Sequence, residues 1–316
     1  MTALRNLVLV HQPGCQDRAD FETIARKVQE LADDIEAFVA SNEIPSSFTR
    51  KKAAQRPTLV FSPGNLDAFR PLRGKIYAGQ PIPKLEQMAR MAAAGLPVPA
   101  FAEVTPNLVL SEQAFGSHVV MKPGHSLSSH GQDITLMRRE TVRYRPPEQF
   151  PPDHPGRLGP MFVQRFIDTG PLVNHYRVLT LFGKPLFAYR NTSLVARPPL
   201  DVADDVLAKI AVKARRSAGA ARTELIQEPD VLAVASRTYA SLREIPLHGV
   251  DIIREDGSGK LFVLEVNPGG NTWIFSKGEI TTLLQKALGT DRLADQFDAF
   301  TTAAKVLIER TRAEAE

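Results

Sequence analysis

Two acidic residues and an asparagine near the C-terminal third of the chain have a spacing suited to binding a divalent cation. Residues 248–271 read as a hairpin around a three-residue loop at 257–259, and that register places Asp251 opposite Glu265. Strand alternation puts Asn267 on the face of Glu265 and turns Leu264 and Val266 to the other face. An oxygen-only cluster suits Mg²⁺, with nucleotide phosphates and water completing its shell. The alternative is an exposed polar strand face, but the flanking apolar residues indicate a buried sheet.

A lysine and a small-residue loop upstream could serve an anion. Lys122 ends the apolar run 119–121, and a lysine on an apolar strand needs an anionic partner. Residues 124–131 follow it directly and are rich in glycine and serine. Small residues let backbone N–H groups approach phosphates closely, and hydroxyls add donors. Taken alone, the same residues fit an ordinary flexible loop.

The elements that must position these residues begin with a small parallel α/β unit. Residues 5–10 and 58–61 have the short apolar character of buried strands. Between them, apolar residues recur at helical steps from Ile24 to Phe38, which predicts one helix after Asp20. Strand, helix and strand at this spacing indicate parallel pairing.

The rest of the chain mixes helices with strands and hairpins. We expect helices over 84–94 and 279–311 and mainly helical structure over 201–244; strands over 117–123 and 161–167; a hairpin over 176–190 that turns at 182–185; and an irregular proline-rich connection over 146–160. The fold class predicted is α/β, with an α+β C-terminal part. The predicted domains are residues 1–80, 81–160 and 161–316.

The hairpin also carries a family resemblance. Gly249 to Ile253, followed by Leu264 to Gly269, resembles the metal-binding signature of the ATP-grasp superfamily, and further landmarks in order extend the resemblance over about residues 81–310. Among members, the chain is similar to carboxylate–amine ligases such as ribosomal-protein glutamate ligases and D-alanine–D-alanine ligase. The resemblance implies an ATP-grasp fold behind a small N-terminal domain.

The same resemblance implies roles for individual residues. The expected phosphate contacts are Lys84, Lys122, Ser128, Ser129 and Gly131. Gln164, Phe166 and Ile167 match the strand that contacts adenine, and Asp168 could bind a ribose hydroxyl. Arg177 and Arg190 match arginines that bind the γ-phosphate and the acyl phosphate. Two departures stand nearby: Arg165 and His175 occupy positions where relatives carry Glu and Asp. Lys84 could instead be a surface lysine, and either arginine could serve a structural salt bridge.

The activity implied is that of an ATP-dependent ligase. It would use ATP and Mg²⁺, with Mn²⁺ as a possible substitute, to activate a carboxylate as an acyl phosphate and join it to an amine of a small molecule or peptide. Two alternatives remain: a kinase that stops at phosphoryl transfer, and a non-catalytic ATP-binding regulatory protein. The intact metal residues argue against the second.

Two further positions could contact substrate. The turn at residues 11–14 leaves the carboxyl end of the first strand, where open α/β sheets bind ligands, or it is a structural turn whose polar residues face water. Trp273, in the loop after the metal strand, either lines the acceptor pocket or lies in the core.

Composition excludes several other classes of protein. Hydrophobic residues make up 43% of the 316-residue chain and charged residues 23%, as in ordinary globular proteins. The net charge of +4 comes without basic stretches interleaved with aromatics, so no nucleic-acid partner is expected. No apolar run approaches a membrane span or a signal-peptide core, so a cytoplasmic location is expected. The single cysteine, Cys15, excludes an intrachain disulfide, and homo-oligomerisation is left open.

Overall fold

An N-terminal parallel sheet opens the computed structural model, which describes residues 4–43, 47–69, 71–125, 134–213, 220–268 and 272–316. The sheet has the strand order β2-β1-β3-β4. Its elements are β1 (Arg5–His11), α1 (Arg18–Leu31), β2 (Ile35–Ser41), α2 (Ser47–Ala53), β3 (Thr58–Ser62) and β4 (Lys75–Ala78). The predicted parallel α/β unit is therefore confirmed.

The single helix predicted between the first two strands is wrong in its second half. Helix α1 ends at Leu31, and residues 35–41 form β2, which pairs in parallel with β1. Ile35 and Phe38 continue the helical spacing by coincidence, because their segment, IEAFVAS, is rich in β-branched and aromatic residues that favour strands. Asp33 and Asp34, which separate the two elements, disfavour continuation of the helix.

The middle of the chain forms an antiparallel sheet of order β5-β8-β6-β7. Its elements are α3 (Lys84–Ala93), β5 (Phe101–Glu103), α4 (Glu112–Phe115), β6 (His118–Pro123), β7 (Thr135–Arg138) and β8 (Met161–Arg165). The proline-rich connection before β8 contains only 3-10 turns at 147–149 and 155–157, in agreement with its prediction as irregular structure. Lys122 lies on β6, a central strand.

The C-terminal part forms an antiparallel sheet of order β11-β10-β9-β12-β13. Its elements are β9 (Asn174–Leu181), β10 (Lys184–Ser193), α5 (Asp204–Leu207), β11 (Ala221–Leu225), α6 (Pro229–Arg237), β12 (Leu247–Arg254), β13 (Leu261–Asn267), α7 (Glu279–Leu288) and α8 (Ala299–Glu314). Strand β11 corrects the mainly helical prediction for 201–244; it pairs with β10 as an edge strand. The predicted hairpin turn is confirmed at Phe182 and Gly183, both with positive φ as a two-residue turn requires.

The C-terminal helix returns to the N-terminal sheet. Helix α8 packs on α1, β1 and β3. Arg312 pairs with Asp34 at 2.6 Å, and the main chains of Thr58 and Glu316 exchange hydrogen bonds of 2.9 and 3.2 Å. The first and last segments thus fold together, while the proposed domain limits at residues 80 and 160 stay a prediction.

Trp273 lies in the core rather than along an open pocket. Its side chain is 2% exposed and packs against Phe21 and Phe275, with ring centroids 5.2 and 5.0 Å away. Its indole Nε1 donates to Asp20 Oδ2 at 2.9 Å, so the buried carboxylate and the indole satisfy each other. Of the two alternatives for this tryptophan, the structure supports the core.

Candidate active site

The hairpin β12–β13 places the two predicted metal-binding acids face to face. Asp251 is the direct partner of Glu265, and Gly249 is the partner of Asn267. The loop differs from the prediction, because Glu255 N donates to Lys260 O at 2.8 Å and leaves four residues, 256–259, in the turn. A bulge at Leu264 on β13 then shifts the register back, so the predicted pairing of the acids is reached by a different path.

The bulge also changes what Leu264 contacts. It packs with Ile167 and Ile253, whereas Val266 joins the separate apolar cluster that contains Val250. Since Ile253 is two residues from Asp251 on the same strand, Leu264 and Ile167 form an apolar wall on the face that carries the acids. Strand alternation alone had predicted that Leu264 would point away from it.

Three cations surround the acid pair. Arg177 Nε donates to Asp251 Oδ1 from the neighbouring strand β9, and Asp251 is only 1% exposed. Lys213 Nζ lies 2.7 Å from Asp251 Oδ2 and 2.6 Å from Glu265 Oε1. Lys84, at the first turn of α3, lies 3.1 Å from Glu265 Oε2. Two facing carboxylates in a buried sheet repel one another unless cations lie between them, and here these side chains supply the charge.

The cations keep both acids ionised. Burial raises the pKa of Asp251, but Arg177 and Lys213 outweigh it, so the pKa lies below its usual value. Burial likewise opposes ionisation of Glu265, and Lys213 and Lys84 hold its pKa well below the usual range. Burial lowers the pKa of Lys213, yet the two carboxylates raise it overall, so this lysine stays charged.

Lys122 is buried beside a neutral partner. It is 6% exposed, and its Nζ donates to Gln164 Oε1 of β8 at 2.6 Å. Burial, with Lys213 and Lys84 adding repulsion, lowers the pKa of Lys122 to about 7. In the described part of the chain no carboxylate forms an ion pair with Lys122, and Glu265 and Asp251 attract it only from a longer distance.

Lys213 was missed by the sequence analysis. It belongs to the segment Arg197–Lys213, here called the cover segment, which connects β10 to the chain before β11. A usable signal was present, because Lys213 ends the apolar run 210–212 in the same way that Lys122 ends its own run. Both lysines end an apolar run, and a lysine that follows such a run predicts a site in need of an anion.

The cover segment also contacts residues expected to bind the nucleotide. Arg197 pairs with Asp168 at 2.6 Å and lies over the Phe166 ring at 5.8 Å. Leu207 and Ile210 belong to the apolar cluster that includes Val120 and Leu136 and packs against Phe166. A cavity of about 320 Å³ with a mainly apolar lining lies beneath the segment and reaches Lys213. The cover segment therefore contacts both the residues predicted to border the adenosine and the acids predicted to bind the metal.

The structure does not bring Arg190 into this cluster. A two-residue turn alone would pair it with His175, on the face of Arg177, but a bulge at Leu186 shifts the register and pairs it with Tyr176. Arg190 therefore lies on the opposite face of the sheet, where it contacts Glu224 at 3.1 Å. Ser128, Ser129 and Gly131 lie outside the described residues.

The N-terminal sheet meets this site at the end of β13. A Cβ on Gly79, just after β4, would lie 2.7 Å from Pro268 O and 2.1 Å from Pro63 O, so glycine permits the approach. His11 at the end of β1 is buried, and Gln12 N donates to Gln16 Oε1 at 2.8 Å. The carboxyl edge of the parallel sheet therefore adjoins the strand that carries Glu265, as a substrate role for the turn at 11–14 would require.

No protein-family model matches the sequence, and a search of curated proteins finds no match. Solved structures do match over almost the whole chain. D-cycloserine synthetase DcsG is 14% identical with a TM-score of 0.52, covering 97% of this chain and 99% of that chain. The ATP-grasp ligase PsnB, complexed with precursor peptide PsnA2 and AMPPNP, is 15% identical with a TM-score of 0.51, covering 97% of this chain and 98% of that chain.

The chain has the ATP-grasp fold. The fold that the sequence predicts is thereby confirmed, including the small parallel domain that precedes the ATP-grasp sheets. The described helices include none long and apolar enough to cross a membrane. Within the described residues no group of three or more His, Cys, Asp and Glu side chains is placed to hold a metal ion.

Replacing Lys122 by Met should stabilise the ligand-free protein, most strongly at low pH. The pKa of Lys122 is about 7 in the folded protein and about 10.5 when unfolded, so burying the charged amine costs most below pH 7. That cost fades as pH rises from 7 towards 10.5. We expect a gain of about 1–4 kcal/mol in urea unfolding at pH 6, reduced by the lost donor to Gln164, and a smaller gain at pH 9.

The control for that prediction is Lys122→Met combined with Gln164→Leu, which removes the orphaned amide as well. Its gain should follow the same pH trend. Equal stability changes at pH 6 and pH 9 in both variants would contradict a charged, buried Lys122.

Proposed function

We propose that the protein is an ATP-dependent ligase that activates a carboxylate as an acyl phosphate and joins it to an amine. The observation that carries this proposal is the pair of the buried Asp251 and the partly buried Glu265, both ionised and surrounded by cations on one face of an ATP-grasp sheet. Such a concentration of fixed charge suits phosphoryl transfer, where catalysis consists of positioning and of stabilising phosphoryl oxygens.

The residues present fit a magnesium ion. Asp251 and Glu265 offer carboxylate oxygens on facing strands, and Asn267 Nδ2 donates to Gly249 O at 3.1 Å, which leaves Asn267 Oδ1 as the ligating atom. We infer that these three residues hold Mg²⁺, or Mn²⁺ in its place, together with ATP. When bound, the metal would neutralise phosphate charge and bring the phosphates to the acids.

The basic residues then take two roles. Lys122, Lys84 and Lys213 converge on the acid pair and would bind the phosphates once a nucleotide enters. Arg177 is fixed by Asp251, so its guanidinium is held in one orientation and would bind the transferring phosphoryl group and the acyl phosphate. Gln164, Phe166, Ile167 and Asp168 would border the adenosine, with Leu264 completing the apolar wall.

The chemistry has two steps. A carboxylate oxygen of the first substrate attacks the γ-phosphorus of ATP, the bond from phosphorus to the bridging oxygen breaks, and ADP leaves. The amine nitrogen then attacks the acyl carbon, and the bond from that carbon to the phosphate oxygen breaks. Phosphate leaves, and the nitrogen loses a proton to solvent. The residues named above align and stabilise these groups, and we assign no general base among them.

The substrates proposed are small molecules or peptides. One structural neighbour is named a D-cycloserine synthetase, and another was solved with a precursor peptide. We propose that the turn at residues 11–14 borders the acid or amine site, because the edge that carries it adjoins the end of β13.

The activity is tested by measuring ADP formation with Mg-ATP and pools of amino acids and peptides. A ligase should release ADP only when both an acid and an amine are present, whereas a kinase needs the acid alone and a regulatory protein releases none. Glu265→Gln should lower the rate at least about a hundredfold with the fold intact, because it removes a charged ligand from the metal site. Near-normal turnover in Glu265→Gln would refute the assignment of that residue.

The two arginines provide a matched pair. Arg177→Lys should lower kcat about tenfold to a thousandfold, because lysine cannot hold both Asp251 and a phosphoryl oxygen in the geometry of guanidinium. Arg190→Lys, on the other face of the sheet, should leave kcat within about twofold. Equal losses of kcat would place Arg190 in the reaction and contradict this assignment.

A further inference from the structure

All four carboxylate oxygens of the acid pair are occupied by the protein's own cations. Asp251 Oδ1 accepts from Arg177, and Asp251 Oδ2 accepts from Lys213 at 2.7 Å. Glu265 Oε1 accepts from Lys213 at 2.6 Å, and Glu265 Oε2 lies 3.1 Å from Lys84. Lys213 is the only one of these cations in the described chain that touches both acids. It therefore lies between them, where an ion shared by both carboxylates would lie.

The charges around the acids favour an anion over a free cation. Three described cations face two carboxylates, so the cluster carries a net positive charge before Lys122 is counted. A free divalent cation would add charge to a site that is already positive, in an interior where such repulsion is poorly screened. Metal complexed with ATP is an anion overall, and its phosphates give the displaced lysines new partners.

We propose that Lys213 acts as a resident counter-ion that excludes free divalent metal and admits the metal only together with the nucleotide. In the absence of ligand, the Lys213 amine binds both acids. When a nucleotide is present, the amine leaves the acids and binds triphosphate oxygens instead. This makes Lys213 a determinant of which form of the metal the protein binds, a role separate from any contact it makes during catalysis. The inference rests on the metal site of the proposed function, and it does not depend on turnover.

The place of Lys213 in the chain supports this role. Arg177 and Lys84 project from a strand and a helix of the sheet framework, whereas Lys213 lies in the cover segment and belongs to no helix or strand. Its side chain can therefore leave the acids through a change of one connection without disturbing the sheet. The other lysine at the end of this segment, Lys209, is highly exposed and pairs with Asp205 at 3.8 Å, so it does not share the role.

The test is binding of Mn²⁺ alone, measured by electron paramagnetic resonance without nucleotide. Wild type should bind Mn²⁺ weakly, with a Kd in the millimolar range or above. Lys213→Met should bind it at least about tenfold more tightly, because both acids lose their shared cation. Lys209→Met removes the same charge from the same segment without touching the acids, and it should behave as wild type.

A second variant guards against misfolding. Lys213→Gln keeps a polar side chain, and it should show the same gain in Mn²⁺ affinity. Its Tm should rise on adding MgCl2 alone, whereas the Tm of wild type should rise only when MgCl2 and ATP are added together. Unchanged Mn²⁺ affinity in both Lys213 variants, or tight Mn²⁺ binding by wild type, would overturn the inference. A protein that excludes free Mn²⁺ through Lys213 but releases no ADP would refute the ligase proposal alone.

Discussion

The hairpin β12–β13 depends on cations that offset the repulsion between the buried Asp251 and the partly buried Glu265, which face each other on adjacent strands. Two ionised carboxylates at that separation oppose formation of the hairpin, and they are tolerated because cations bind them from three directions. Each cation comes from a different element: a strand, a helix start and a long connection. Through these ion pairs, the two acids connect parts of the chain that are far apart in sequence.

A concentration of charge that large is costly for stability and useful for binding anions. Lys122 illustrates the conflict, since it is buried with only an amide as partner and its pKa falls to about 7. A polar group placed in a core without a charged partner destabilises the free protein and is typical of a site whose ligand completes it. Lys213 differs from Lys122 because it has two charged partners, and these are the acids that a metal would use.

The pairing of the acids could be predicted from sequence because strand alternation and a tight turn are strong local signals. The bulge at Leu264 was not predictable, since no glycine or proline marks it, whereas Pro185 beside the bulge at Leu186 was a usable signal because proline within a strand is confined to edges and bulges. The bulge at Leu264 compensated for an incorrect loop length, so the pairing of Asp251 with Glu265 survived. The bulge at Leu186 had no such compensation and carried Arg190 to the far face. Strand β2 was missed because its residues continue the helical spacing of the preceding segment. Lys213 was missed because its segment has the composition of a surface connection.

The central claim is that a substrate carboxylate is phosphorylated, and isotope transfer tests it most directly. Acids and peptides whose carboxylates carry ¹⁸O are incubated with the protein, Mg-ATP and amines, and the released phosphate is analysed by mass spectrometry. If an acyl phosphate forms and is attacked at carbon, one ¹⁸O from the carboxylate must appear in phosphate for each amide formed. Amide formation with phosphate free of ¹⁸O would contradict the account.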